Sequence, residues 1–139
     1  MYNYEDFVKS NFMREMYSNE NVLENMEIGF LKGNAFTNLY KPYKNYEIKR
    51  IIPKNKQEDL LLKLNETSFY AHELNLLLDI NPNNKEILQK FNDYRNQSNS
   101  LLNQYESLYG PITMSSNSLN TYPFPWSTTS FPWEKGGIN

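Results

Sequence analysis

Apolar and small residues recur through the middle of the chain in alternating steps of four and three. They fall at Leu60, Leu64, Thr67, Ala71, Leu74 and Leu78, then at Ile87, Phe91, Tyr94, Ser98, Leu101, Tyr105 and Leu108. This rhythm places one side chain per turn on a single helical face. Either helix alone would leave its stripe in water, so the pattern predicts an antiparallel hairpin in which the two stripes bury each other. Leu78 and Phe91 are expected to flank the seam near its corner.

The helix ends are marked as well. Pro53 ends the preceding segment, Asn55 is placed to cap the first helix, and Glu58 three residues on completes a capping box. The first helix is expected to stop near Ile80. Asn81 is then the expected cap of the second, with Pro82 at the first helical position, where no N–H is needed. Gly110 suits a left-handed residue after the last turn, and Pro111 prevents continuation. The fold class is therefore mainly α, an antiparallel two-helix hairpin (54–111) between irregular, aromatic-rich extensions (1–53 and 112–139).

Within 1–53, Phe7, Val8, Phe12 and Met16 lie close to one face of a helix across Glu5–Tyr17. Ser18 or Asn19 is the expected cap of a second short helix carrying Val22, Leu23 and Met26, and Gly29 and Gly33 are expected to break it. Asn34–Tyr43 reads as irregular, with Phe36, Leu39, Tyr40 and Tyr43 as anchors, and Tyr46–Ile52 as a short extended piece. After Gly110 the composition shifts. Ser115–Thr121 is polar, and then Phe-Pro-Trp is written twice, at Phe124–Trp126 and Phe131–Trp133, with Tyr122-Pro123 ahead of the first copy. Prolines lower the entropy lost on docking, and the aromatics beside them supply contact area. Across Ser127–Ser130 the two copies can reach neighbouring pockets, so a shared partner would gain from their linkage. Such a tail either folds back on its own hairpin or docks on another protein, and the residues leave both open. The candidate partner-binding residues are Tyr122, Phe124, Trp126, Phe131 and Trp133, with Phe36, Tyr40 and Tyr43 in the N-terminal part.

Composition narrows the function classes. Of the 139 residues only 39% are hydrophobic, yet 15% are aromatic; mean hydropathy is −0.75. Fourteen basic residues against sixteen acidic ones leave a net charge of −2, with no basic stripe to neutralise phosphates, which argues against a nucleic-acid partner. Without cysteine there is no disulfide, thiolate metal site or cysteine nucleophile. Met1–Tyr17 lacks the apolar core of a secretory signal, and the apolar runs are too short to span a bilayer.

The inventory makes a poor enzyme. His72 is the sole histidine and adjoins Glu73, and adjacent helix positions point about 100° apart, so the two do not share a metal. A di-metal bundle site needs Glu-x-x-His on two helices, whereas Glu66 and Glu73 are seven residues apart. Glu73, Asn75 and Asp79 form the most polar group near the corner. Asp79 is expected to bond free N–H groups of the next helix, and Glu73 to pair with a tyrosine or lysine. A carboxylate without an oriented base or cleft makes no catalytic case. Tyr94, Tyr105 and Tyr109 read as packing residues, Ser115, Ser116 and Ser118 lack a histidine partner, and Gly136-Gly137 reads as a frayed end. No catalytic residue, cofactor site or metal site is expected.

Asn55 to Trp133 resembles the CotJB family of spore-coat proteins from endospore-forming bacteria. The resemblance rests on Glu73–Asp79 followed by Asn81-Pro82-Asn83-Asn84, on Leu88–Asn92, on Tyr105–Pro111, and on the two tryptophan-proline clusters. The family pattern has tyrosine where Leu77 stands and Thr-His where Ile80-Asn81 stand. Gly33–Tyr43 carries a fainter likeness to CotJA, the short partner encoded beside CotJB. The resemblance implies a structural component or assembly factor of the endospore coat, made in the mother-cell cytoplasm and acting through protein–protein contact. Its implied partners are other coat proteins, a CotJC-like manganese catalase and CotJA. The alternative it implies is an accessory subunit that caps or recruits that catalase.

Overall fold

The computed structural model describes residues 23–37, 43–131 and 133–134. Its helices are α1 (Met26–Lys32), α2 (Lys56–Ile80) and α3 (Lys85–Tyr109), followed by two short 3-10 turns at Asn117–Asn120 and Pro125–Ser127. α2 and α3 pair along their length as the expected antiparallel hairpin. Near the corner Leu74 and Leu77 meet Ile87, and at the open end Leu60 and Leu64 meet Tyr105. The expected helix across Glu5–Tyr17, the caps at Ser18 or Asn19, and Val22 all lie outside the described residues.

Local chemistry accounts for each helix end. The Asn55 side chain accepts from the Glu58 N–H at 2.8 Å, as the capping pattern requires. The Glu58 carboxylate reaches one residue further back than expected, accepting from the Lys54 N–H at 2.7 Å. At the corner the expected roles of Asn81 and Pro82 are corrected. Asn81 closes α2, its N–H donating to the Leu77 carbonyl, and Asn84 caps α3 by accepting from the Glu86 and Ile87 N–H groups. Pro82 sits in a tight turn closed by the Asn84 N–H on the Asn81 carbonyl at 3.1 Å. Proline's fixed φ suits the second position of such a turn, so the turn claims it ahead of the helix. Asp79 is exposed, and Asn84 does the capping assigned to it.

Packing modifies the stripe at both ends. Leu77 is buried and Leu78 only half so. Leu108 is 61% exposed, and Tyr109 takes its place beside Tyr105, with ring centroids 5.2 Å apart. Leu74 is fully buried, as is Tyr105 at 1% exposure, whose hydroxyl accepts from the Gln57 side-chain amide at 2.9 Å.

The N-terminal part joins this core. Asn25 caps α1 by accepting from the Ile28 N–H at 2.9 Å. Leu23 precedes that helix and forms an antiparallel bridge with Phe36. Gly29 lies inside α1 instead of breaking it, because the turn after the helix folds back closely; a Cβ there would stand 3.2 Å from the Ala35 Cα. Gly33, with φ at 80°, ends the helix. Ala35 and Phe36 then pack on Tyr70, Leu74, Leu77 and Ile87. Two bonds tie this segment to α2. The Ala35 N–H donates to the buried Glu73 carboxylate at 3.0 Å, and the Tyr70 hydroxyl donates to the Glu24 carbonyl at 2.7 Å. Residues 46–52 carry no regular secondary structure and are exposed.

Two expectations follow from the core. Leu74→Asp puts a charge at a fully buried position among apolar side chains and should cost about 3 kcal/mol or more, lowering the melting temperature by over ~10 °C. Unchanged helicity and melting by circular dichroism would contradict the helix pairing. Tyr70 has its phenol pushed up to about 12 from 10.0, by burial first and then by Tyr94 and Glu24. The unfolded chain therefore ionises first, so this contribution to stability is intact below pH 10.0 and declines as pH rises through about 12. Tyr70→Phe should show a shallower loss of stability across that window in denaturant titrations; parallel curves for the two proteins would refute the linkage.

Candidate functional site

The C-terminal tail begins at the end of α3 and is fastened there by a buried carboxylate. Glu106 lies in the last turn of α3, where the helix dipole disfavours an acid, and no basic residue accompanies it. Donors from the tail compensate. Glu106 Oε1 accepts from the Ile112 N–H at 3.1 Å, and Oε2 from the Ser116 hydroxyl at 2.6 Å. Because the Ser116 proton points at Glu106, the Ser118 hydroxyl 2.6 Å away is the donor in the next bond of the chain. Hydrogen bonds to charged groups contribute about 1.5–3 kcal/mol each. Glu73 does the same at the other end of the hairpin, holding Ala35 by a backbone N–H where pairing with tyrosine or lysine was expected.

A second fastening lies at Gly110. Its φ of 102° and ψ of 173° place it outside the expected left-handed helical region, in positive-φ extended backbone that is essentially glycine-only. The tail returns directly over it. A Cβ at Gly110 would stand 2.6 to 2.8 Å from the side-chain atoms of Thr129. Thr129 is held in turn by the Pro125 carbonyl, which accepts from its N–H at 3.0 Å and its hydroxyl at 2.9 Å. The 3-10 turn thus spends Ser127–Ser130 on bringing the two Phe-Pro-Trp copies together. Trp126 meets Phe131 edge-on at 5.5 Å, and Phe131 stacks on Trp133 at 5.0 Å with planes 3° apart. Glu134 closes this end, its carboxylate accepting from the Phe131 N–H at 3.1 Å.

The predicted partner-binding residues therefore divide. Trp126 and Phe131 are half-buried in the aromatic cluster, while Trp133 is 70%, Phe124 56% and Tyr122 98% exposed. None of the five belongs to either hydrophobic core cluster. Tyr43 is exposed, whereas Phe36 is a core residue at 5% exposure and faces no outside partner in this arrangement. Tyr40 and Leu39 lie outside the described residues. The backbone of the tail is folded onto the hairpin, while Tyr122, Phe124 and Trp133 stay exposed.

Glu73 and Glu106 are the residues that pattern reading missed as tethers. For Glu106 a signal existed in an acid at the negative end of a helix with no base nearby. His72 is exposed, and among the described residues no three histidine, aspartate or glutamate side chains converge as a metal site would require. The Glu66 carboxyl is raised above its ordinary value, by burial first and then by Glu27 and Asp59. No helix among the described residues is long and apolar enough to cross a membrane.

Residues 58–134, more than half of the chain, match the family described as CotJB protein. No curated protein and no solved structure matches the chain.

The tail geometry makes Gly110 a sensitive position. Gly110→Ala strains the backbone by about 1–3 kcal/mol and collides with Thr129, so the tail should lift while the hairpin stays helical. Both tryptophans lie in the tail, so intrinsic fluorescence should shift with little change in far-UV circular dichroism. An unaltered spectrum would mean that the tail does not rest on Gly110.

Proposed function

The chain belongs to the CotJB family of spore-coat proteins, and from that premise we propose that it is a non-enzymatic assembly component of the endospore coat. It is made in the mother cell and acts through protein–protein contact. The observation that carries this reading is the tail. Trp126, Phe131 and Trp133 form one aromatic cluster in a tail fastened to the hairpin, with Trp126 and Phe131 half-buried and Trp133 70% exposed. Preordering aromatic side chains lowers the entropy lost on binding. Tryptophan and tyrosine are the residues that most often dominate interface energetics, at about 2 kcal/mol or more each on truncation.

The partners proposed are other coat proteins, with a CotJC-like manganese catalase and CotJA as the first to examine. Among the described residues no cluster of histidine or carboxylate side chains could hold a metal, so a catalase partner would keep its own active site. If the chain were instead an accessory subunit that caps the catalase, its removal would change turnover itself.

The test is deletion of Asn120–Asn139 in sporulating cells, beside the full-length variant Trp133→Ala, which leaves the Glu106 and Gly110 fastenings in place. Both proteins should fold as helical hairpins and fail to enter the coat, with the catalase lost from the coat but active in the lysate. Normal incorporation of both would refute the docking role. Loss of catalase turnover in the lysate would select the capping alternative.

A further inference from the structure

The open end of the hairpin carries a cleft and a projection side by side. The cleft, of about 480 Å³, lies between the end of α3 and the returning tail; Leu108, Tyr109 and Pro111 line one wall, and Thr121, Pro125 and Thr129 the other. Thr121 and Pro125 bracket three residues that do not line it, Tyr122-Pro123-Phe124. These stand at the rim, with Tyr122 98% and Phe124 56% exposed. Leu108, in the cleft wall, is 61% exposed.

We propose that this end of the molecule is a self-association surface, in which Tyr122–Phe124 of each copy occupies the cleft of the other. Three observations select a second copy as the occupant. An apolar projection adjoining an apolar cleft is self-complementary, because a two-fold rotation seats both projections at once and closes the assembly. The projection cannot serve its own cleft, since its neighbours Thr121 and Pro125 form the wall and Pro123 and Pro125 fix the backbone there. Finally, residues 111–131 contain no Asp, Glu, Lys or Arg. Glu106, which also borders the cleft, has both carboxylate oxygens engaged by Ile112 and Ser116. Two copies that each carry a net charge of −2 therefore meet through a stretch free of charged residues, and the one carboxylate lining the cleft, Glu106, is held by donors of its own chain.

The stacked Trp126–Phe131–Trp133 cluster is separate from the inserting residues, so self-association does not depend on the coat-docking role. The two are tested separately, this one on purified protein alone. Sedimentation equilibrium of the full chain from low micromolar to millimolar concentration should show a mass rising from 16.5 kDa toward twice that value. The variant Tyr122→Ser/Phe124→Ser removes the projection and Leu108→Glu obstructs the cleft. All three positions are exposed, so folding is preserved, and each variant should weaken the dimer at least about tenfold. The chain has no cysteine, so a mixture of Phe124→Cys and Leu108→Cys proteins should form the mixed disulfide under mild oxidation. A single-chain mass at every concentration would overturn the proposal, including the case in which the chain associates only with another coat protein. A dimer untouched by both variants and giving no mixed disulfide would overturn it equally, by placing the contact elsewhere.

Discussion

Two paired helices share one interface, and α2 carries more apolar surface than α3 alone covers. Leu60, Leu64 and Leu74 face the seam, but Phe69 lies off it and finds a ring partner in Phe30 of α1 at 5.7 Å. The chain on either side of the hairpin supplies the missing cover. Leu23, Met26, Ala35 and Phe36 complete the core at the corner, and Ile112 extends it at the open end. Burying apolar area drives each addition, at roughly 25 cal/mol per Å². Burial alone sets no register, however. The two buried glutamates do that, because a carboxylate taken out of water must be met by donors in fixed positions. Glu73 fixes where Ala35 sits and Glu106 fixes where the tail starts.

The presentation of the tail follows from that fastening. With Ile112 and Ser116 held by Glu106 and Thr129 pressed on Gly110, the prolines and the 3-10 turn leave the aromatics little choice of direction. Trp126, Phe131 and Trp133 pack on one another, and Trp133 is left 70% exposed. The surface ion pairs add little to the picture. Arg50 grips the Glu27 carboxylate at 2.6 Å with both groups exposed, a pairing that contributes on the order of 0–1 kcal/mol.

Much of the hairpin is legible in the sequence because its signals are local and periodic. Asn55 caps α2 through the Glu58 N–H, Leu74 is fully buried, and the seam runs as the four-three spacing requires. The corner misleads because asparagine and proline are ambiguous. Asn81, Asn83 and Asn84 can each cap, and Pro82 fits a turn as well as a first helical position; only the closed turn decides. Leu77 for Leu78 and Tyr109 for Leu108 are displacements along the stripe, made where a third segment packs and shifts the buried face. Phe36 reads as a free anchor because the Leu23 bridge and the Glu73 bond that bury its segment are long-range. The tail's self-stacking is likewise invisible to periodicity, since it depends on a turn built from Pro125 and Thr129 and on the absence of a side chain at Gly110.

Glu106 holds the tail to the hairpin, and amide hydrogen exchange reads that bond most directly. The Ile112 N–H lies beyond the end of α3 and donates to the Glu106 carboxylate. In the intact protein it should exchange as slowly as the amides of the last turn of α3. Exchange at the rate of an unstructured chain, with α3 itself protected, would contradict the account.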